Sequence, residues 1–267
     1  MLAFHPLFKN SHLATVAANF WSRPESENTW PVSDTVYESE PGVGVLVRTQ
    51  TPKTPIGQIV LVHGLEGSSE SGYVRSMAHA ALHFGFAVHR FNMRGCGGSP
   101  LHPKGNYHSG QTADLLHLAK TLRAQSSLPL YAVGYSLGGN VVLKLAGELG
   151  DTGQNIFAGV CSVSAPIDLA ACARKTTEPM NYFYQRRFVE RLKERVRERN
   201  PMAPQIFPLE PLPRVRTIQD FDEYYTARIF GFGDAANYYR TQSSQNFLPH
   251  IRIPTLLIQA KDDPLIP

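Results

Sequence analysis

The 267-residue sequence is 42% hydrophobic and 18% charged, which excludes a disordered chain because this much apolar side chain can offset the conformational entropy lost on folding. It contains no apolar run near the roughly 18 residues of a membrane-spanning helix, and its first residues lack the apolar core of a signal peptide. The net charge of +4 comes entirely from residues 186–199, with seven Lys or Arg against three Glu, so the composition does not indicate a broad basic surface for nucleic acid.

Strands and helices alternate in the central part of the sequence, the pattern of a parallel sheet covered on both faces. The predicted strands are 57–64, 87–91, 130–134, 158–164 and 253–260, and the predicted helices are about 73–84, 109–123 and 137–149. The alternation is interrupted over about 168–245, a segment rich in Arg, Tyr, Phe and Pro. We expect this segment to be a helical cap over the carboxyl edge of the sheet, where ligands bind in such folds. The prediction is one α/β domain over residues 1–267, with the cap inserted before the last strand.

A G-x-S-x-G motif, Gly134-Tyr135-Ser136-Leu137-Gly138, lies between a predicted strand and a predicted helix. A turn this sharp leaves no room for a side chain at either glycine, and it raises the serine hydroxyl at the end of the strand. The following helix directs its first amides to the same point, where an oxyanion would develop. We therefore interpret Ser136 as a nucleophile in preference to a residue of a small-residue turn.

The sequence His63-Gly64-Leu65-Glu66-Gly67 follows the first predicted strand. In proteins with a serine turn of this kind, the loop after an early strand supplies one oxyanion-hole amide, and the residue after the nucleophile supplies the other. The predicted donors are the backbone amides of Leu65 and Leu137. His63 is interpreted as a structural histidine at a strand end, because the base of such a site should follow the acid in the chain.

The candidate acid lies in Ala260-Lys261-Asp262-Asp263-Pro264, after the last predicted strand. A carboxylate there could fix the tautomer of a histidine; Asp263 is preferred and Asp262 is the alternate, while a solvated turn is the non-catalytic interpretation. Only four residues follow Asp263 and none is histidine, the last histidine being His250. We expect the domain to be incomplete at its C-terminus, with the base downstream of Pro267.

Other candidate sites are weaker. His79 and His83 lie one turn apart on a predicted helix, but neither the glutamate of a zinc motif nor a third ligand accompanies them. The glycine-rich segment 94–98 lacks both common phosphate-binding patterns. The sequence predicts no metal and no cofactor.

The Arg-rich stretch predicts an amphipathic helix whose apolar face carries Phe188, Leu192 and Val196. The predicted surface ion pairs are Arg191–Glu194 and Arg195–Glu198. We interpret the stretch as a solvated cap helix in preference to a patch that binds lipid or nucleic acid.

The cysteines are few and odd in number, and they indicate no disulfide framework. They are Cys96, Cys161 and Cys172. Together with the absence of an apparent signal peptide, they favour a soluble protein in the reducing cytoplasm.

Taken together, the motifs resemble those of the YheT-like family of α/β-hydrolases, which includes bacterial esterases and animal lipid hydrolases of the ABHD type. The resemblance covers nearly the whole chain. Its motifs are Phe4-His5-Pro6, Asn10-Ser11-His12-Leu13, 63–69, 94–98, Tyr107-His108-Ser109-Gly110, 134–140, Ser164-Ala165-Pro166, 222–239 and 260–264.

The resemblance implies an α/β-hydrolase fold and a serine carboxylesterase, with Ser136 as nucleophile, Asp263 as acid and a histidine beyond this chain completing the catalytic triad. Its implied substrates are short to medium acyl esters or lipid esters, which would place it in lipid metabolism. It implies no cofactor and no nucleic acid, and it is compatible with peripheral contact with a membrane. The alternative is a non-catalytic binding module on the same fold, since the base histidine is absent from this sequence. Acyl chain, alcohol and oligomeric state are not determined by the sequence.

Overall fold

The computed structural model describes residues 8–17 and 29–267, and the Phe4-His5-Pro6 motif lies outside this part of the chain. A seven-stranded sheet in the order β1-β2-β4-β3-β5-β6-β7 forms its centre. The strands are β1 (Ser33–Glu40), β2 (Val43–Gln50), β3 (Gly57–Val62), β4 (Phe86–Phe91), β5 (Leu130–Tyr135), β6 (Gly159–Val163) and β7 (Thr255–Ile258).

Helices precede, separate and cap the strands. The α-helices are α1 (Ser11–Ala17), α2 (Gly72–His83), α3 (Ala113–Gln125), α4 (Leu137–Leu149), α5 (Leu169–Thr176), α6 (Tyr182–Arg199), α7 (Ile218–Phe221), α8 (Ala227–Ile229) and α9 (Ala235–Gln242). A π-helical turn, Asp222–Thr226, joins α7 to α8. Short 3₁₀ helices are Gly150–Asn155, Pro179–Asn181, Leu212–Arg214, Ser244–Asn246 and Leu248–His250. None of the helices in the described ranges has the length and apolar character needed to cross a membrane.

Strands β4, β3, β5, β6 and β7 are parallel, and β1 and β2 extend the sheet as an antiparallel hairpin. The fold prediction of a mostly parallel α/β sheet is confirmed, but the strand predicted as first is third in the chain. The prediction missed both β1 and β2. The side chains of β1 are mostly exposed, so its sequence lacks the apolar run that marks a buried strand. In β2 the apolar run ends at Val47 and polar residues follow.

The two faces of β3 explain why helices cover both sides of the sheet. Ile59 and Leu61 point to the face covered by α2, whereas Val60 and Val62 point to the face covered by α3 and α4. Side chains alternate along a strand, so an uninterrupted apolar run must be buried on both sides.

The helix predicted to begin near Ser109 is α3, which begins at Ala113. The Ser109 amide donates a hydrogen bond to the Tyr238 hydroxyl oxygen (2.8 Å), and the Ser109 carbonyl accepts one from Asn140 Nδ2 (2.8 Å). These bonds tie the Ser109 backbone to the cap and to α4, so it is not available for a helix.

The cap, between β6 and β7, has its own hydrophobic cluster. Leu192 and Val196 of α6 are buried there as predicted and pack with Phe221 and Tyr225. Leu65, which follows β3, packs against the same cluster. The cap therefore lies over the carboxyl end of β3, as expected for a helical cap of this fold.

The prediction that α6 is a solvated helix with surface ion pairs is wrong on one face. Arg195 and Arg199 are only 8% and 3% exposed. Arg195 pairs with Glu66 (Nη2 to Oε1, 2.8 Å) rather than Glu198, and Arg191 donates to the Glu66 carbonyl oxygen (3.3 Å). The tertiary contact replaces the local pairs because α6 packs against the loop that follows β3.

Candidate functional site

Ser136 lies at the tip of a sharp turn between β5 and α4. Its φ of 51° places a non-glycine residue in the left-handed region, which is strained and occurs often at functional sites. Its amide donates to the Val163 carbonyl oxygen at 2.8 Å. A Cβ at Gly134 would collide with the Gly138 carbonyl oxygen, and one at Gly138 with the His63 carbonyl oxygen. Both motif glycines are therefore required by close backbone packing.

The predicted nucleophile and both predicted oxyanion donors line one cavity of about 110 Å³. Within the described residues, neither the Leu65 amide nor the Leu137 amide donates a hydrogen bond to the protein. The other lining residues are mostly apolar and come from the cap and from the loops after β6 and β7, among them Pro166, Leu169, Ala173, Phe188, Ile218, Leu265 and Ile266. The cavity therefore brings Ser136 together with two residues whose amides have no acceptor in the described part of the chain, beside a mostly apolar space.

Asp263 is held in an oriented turn after β7. Its Oδ1 accepts hydrogen bonds from the amides of Leu265 (2.9 Å) and Ile266 (3.1 Å), and its Oδ2 accepts one from Gln259 Nε2 (3.1 Å). Leu265 and Ile266 also line the Ser136 cavity, so the turn links the carboxylate to that cavity. Asp262, the alternate, is exposed.

His63 is engaged at both ring nitrogens. Its Nδ1 lies 2.7 Å from the Gly64 carbonyl oxygen, and its Nε2 accepts a hydrogen bond from the Met93 amide at 3.1 Å. Burial lowers its pKa to about 4. His63 therefore has the contacts of a structural, neutral histidine. His250 precedes the amino end of β7 and lies at the opposite end of that strand from Asp263.

The His79 and His83 rings pack against each other with centroids 4.4 Å apart. The His83 ring also packs edge-on against Trp30, at 4.9 Å. Among the residues that the structure describes, no group of three or more His, Cys, Asp or Glu side chains is placed to hold a metal ion.

Sequence reasoning missed the role of Glu66, which follows the predicted donor Leu65. Glu66 has a φ of 52° and forms an ion pair with Arg195, and both side chains are 9% exposed. Tyr107 joins them through its hydroxyl, which donates to Glu66 Oε1 at 3.0 Å. Glu66 and Arg195 are 129 positions apart, so no spacing rule could have found the pair.

Asp222 is a second carboxyl group that sequence reasoning did not single out. It lies in the π-helical turn and accepts a hydrogen bond from the Tyr239 hydroxyl at 2.7 Å. Burial raises its pKa to about 6. Asp222 lines the Ser136 cavity and also a neighbouring cavity of about 70 Å³ between cap and sheet. π-Helical turns occur often at functional sites, but a single Asp in a helical segment carries no such signal in the sequence.

Comparison with known proteins gives consistent matches. Residues 57–267 match the model of the alpha/beta hydrolase fold family. YheT, a candidate esterase of Escherichia coli (strain K12), is 38% identical over 78% of this chain and 62% of its own length. A monoacylglycerol lipase of Saccharomyces cerevisiae (strain ATCC 204508 / S288c) is 31% identical over 78% of this chain and 48% of the lipase.

A solved structure shares the fold. The Pyrococcus furiosus esterase Pf2001 has a TM-score of 0.60 and 16% identity, covering 92% of this chain and 75% of the esterase. The matched region spans only about half to three fifths of the length of the two sequence relatives. The similarity of the chain to YheT agrees with the resemblance predicted from the sequence motifs. Because the family model matches residues 57–267, most of this chain, the chain belongs to the α/β-hydrolase fold family.

Proposed function

We propose that the protein is a serine hydrolase that cleaves carboxylic esters through an acyl-enzyme on Ser136. The observation that carries the proposal is the single cavity lined by Ser136, Leu65 and Leu137, in which the two amides have no acceptor among the described residues. Preorganised amides beside a nucleophile stabilise the oxyanion that forms during acyl transfer.

In this mechanism the Ser136 Oγ attacks the ester carbonyl carbon while a base removes its proton, and the carbonyl oxygen becomes an oxyanion. The amides of Leu65 and Leu137 donate hydrogen bonds to that oxygen. The tetrahedral intermediate collapses, the alcohol leaves with a proton from the base, and an acyl-enzyme remains. Water then attacks the acyl carbon, which releases the carboxylic acid product and regenerates the Ser136 hydroxyl.

The proposed acid is Asp263, and the proposed base is a histidine that follows it in the full-length natural protein. Asp263 Oδ1 accepts from two backbone amides, while Oδ2 accepts, among the described residues, from the side-chain amide of Gln259 alone. An imidazole Nδ1–H could replace that contact. The exposure of β7 favours the presence of further structure packed beside it in the full-length protein. Leu256, Leu257 and Ile258 are each about half exposed, which is unusual for apolar residues of a strand.

The proposed substrates are short to medium acyl esters or lipid esters. The apolar lining of the cavity, with Leu169, Phe188 and Ile218 among its residues, suits an acyl chain better than a charged group. Two relatives support the same class, one named as a candidate esterase and the other as a monoacylglycerol lipase.

The alternative function is a non-catalytic binding module that uses the same apolar cavity. The observation in its favour is that His63 is engaged at both ring nitrogens and His250 lies at the opposite end of β7 from Asp263, so neither is placed to serve Ser136 as a base. Fold alone does not decide between these functions, because hydrolase folds also serve proteins without activity.

The deciding experiment treats the full-length natural protein with a fluorophosphonate and follows hydrolysis of p-nitrophenyl butyrate. We expect covalent label at Ser136 by peptide mapping, and ester turnover that Ser136→Ala removes. Ser243→Ala is a matched control, since Ser243 is a buried serine outside the cavity lining. An unlabelled Ser136 together with no ester turnover in the wild type would refute the hydrolase and favour the binding module. Turnover that survives Ser136→Ala would instead refute Ser136 as the nucleophile.

A further inference from the structure

Every polar group of Glu66, the residue after the proposed donor Leu65, is bound from outside its loop. The Glu66 amide donates to the Tyr107 hydroxyl oxygen (3.0 Å), and the Glu66 carbonyl oxygen accepts from Arg191 (3.3 Å). The carboxylate accepts from Arg195 at two points, Nη2 to Oε1 (2.8 Å) and Nε to Oε2 (3.2 Å). Two of these three partners belong to helix α6 of the cap.

The loop conformation needs this external support. Glu66 has a φ of 52°, a region that a residue with a Cβ enters only at an energetic cost. Released from its partners, the loop would gain access to other backbone conformations at Leu65 and Glu66. The Leu65 amide belongs to the Gly64–Leu65 peptide, one peptide before the bond that joins Leu65 to Glu66, so its direction depends on how the loop is held at Glu66.

Arg195 is itself fixed by its surroundings. Its guanidinium lies over the Tyr107 ring, 4.7 Å from the ring centroid, and its Nη2 lies 3.0 Å from Cys96 Sγ. A planar guanidinium binds a carboxylate at two points and stacks on an aromatic ring at once, which an ammonium group cannot do.

We propose that Arg195 is a positioning residue for the oxyanion hole, holding the Leu65 amide in its binding orientation through the carboxylate of Glu66. The proposal rests on the proposed ester hydrolysis at Ser136. The cap helix and the oxyanion hole then form one unit.

Arg199 provides a matched control on the same helix. It is buried like Arg195, and it also ties α6 to the body of the protein, through Asn106 Oδ1 (3.0 Å) and the Gly95 carbonyl oxygen (3.2 Å). Its hydrogen bonds do not involve Glu66. Loss of Arg199 therefore weakens cap attachment without removing a ligand of the Glu66 carboxylate.

The test compares Arg195→Met, Arg195→Lys and Arg199→Met in the full-length natural protein, by ester kinetics and by hydrogen exchange of the peptide 63–67. For Arg195→Met we expect kcat to fall about 10- to 100-fold, KM to change less than about threefold, and exchange in 63–67 to rise. Arg195→Lys should recover part of kcat. Arg199→Met should keep kcat within about threefold and leave the exchange of 63–67 unchanged.

A double variant keeps the test decisive if Arg195→Met alone fails to fold. Glu66→Gln with Arg195→Met leaves no unpaired buried charge, and it should show the same loss of kcat and the same rise in exchange. Equal effects of Arg195→Met and Arg199→Met, or a change in KM alone, would overturn the proposal and make Arg195 a cap anchor. If Ser136 proves inactive in the wild type, the proposed hydrolase function fails. If hydrogen exchange of peptide 63–67 is unchanged in Arg195→Met, the proposal that Arg195 holds this loop fails independently of the hydrolase function.

Discussion

Gly64 lies directly against Ser136: a Cβ at Gly64 would be 3.1 Å from Ser136 Cβ and 3.6 Å from Ser136 Oγ. The loop that carries Leu65 and the turn that carries the proposed nucleophile are therefore in van der Waals contact. The absence of a side chain at Gly64 permits that approach.

The Gly64→Ala variant should lose activity while remaining folded. The added methyl group would meet Ser136 Cβ at 3.1 Å and the Tyr135 carbonyl oxygen at 3.3 Å, so the loop or the turn must move by a few tenths of an ångström. We expect kcat/KM for p-nitrophenyl butyrate to fall about tenfold, since catalysis is sensitive to misplacement of reacting groups on this scale. Gly159→Ala, at the start of β6, is the matched control: its φ lies outside the left-handed region, and its Cβ would be similarly close to its neighbours, 3.3 Å from the Tyr131 ring and 3.4 Å from the Pro254 carbonyl oxygen. Equal losses of activity in both variants would contradict the prediction.

Neutralising Asp263 should reduce turnover far more than neutralising Asp262. Asp263 is oriented by the amides of Leu265 and Ile266, whereas Asp262 is exposed. For the full-length natural protein we expect Asp263→Asn to lower kcat roughly 10³- to 10⁴-fold, because an amide cannot hold the base in its working tautomer. Asp262→Asn should stay within about threefold. Steady-state kinetics decide the assignment, and the reverse order would identify Asp262 as the acid.

Two buried histidines, His63 and His89, and the partly buried His108 should make the fold sensitive to acid. Burial lowers the pKa of His63 and His89 to about 4 and that of His108 to about 3. An unfolded histidine has a pKa of about 6.5, so between pH 6.5 and 4 the unfolded state binds protons that the folded state does not. The contribution of these histidines to the free energy of unfolding is therefore fully present above pH 6.5. It falls as the pH drops through this window, by about 2 kcal/mol for each histidine at pH 5.

Urea unfolding at pH 7.5 and pH 5 measures this effect. The His89→Gln variant should lose about 2 kcal/mol of the pH dependence while keeping polar contact with Thr49 and Gln58, the present partners of His89. A pH dependence identical to that of the wild type would show that His89 already carries a proton in the folded state at pH 5.

Asp222 should act in the opposite direction. Burial raises its pKa in the folded protein from the ordinary value of 3.8 to about 6, so the folded state holds a proton that the unfolded state releases between these values. Its contribution to stability is present at low pH and is lost as the pH rises through about 6. Asp222→Asn removes this dependence, and we expect the stability of the variant relative to wild type to increase by about 2 kcal/mol from pH 4 to pH 7. Urea unfolding across that range measures the difference in free energy of unfolding between the variant and the wild type. A difference that does not change with pH would mean that Asp222 has the same pKa in the folded and unfolded states.

The features that the sequence predicted are those with local causes. Apolar runs predicted β3 to β6, because a strand buried on both faces needs uninterrupted apolar residues. The glycines around Ser136 predicted the sharp turn, because backbone packing there excludes a Cβ. Strand β1 was missed because pairing with β2, rather than its own exposed side chains, makes it a strand.

The sequence alone determined the α/β architecture, the serine turn and the family, since each follows from patterns within short segments or from motifs in order. Only the tertiary structure decided that Arg195 is buried against Glu66 instead of exposed beside Glu198. Helical spacing makes Glu198 a near neighbour of Arg195, but burial of the apolar face of α6 carries Arg195 to the loop after β3. Desolvation then favours a two-point pair with a buried carboxylate over leaving the guanidinium unpaired. The environment of Asp222 has the same origin, because burial depends on how the cap packs and not on the residues beside it in the chain.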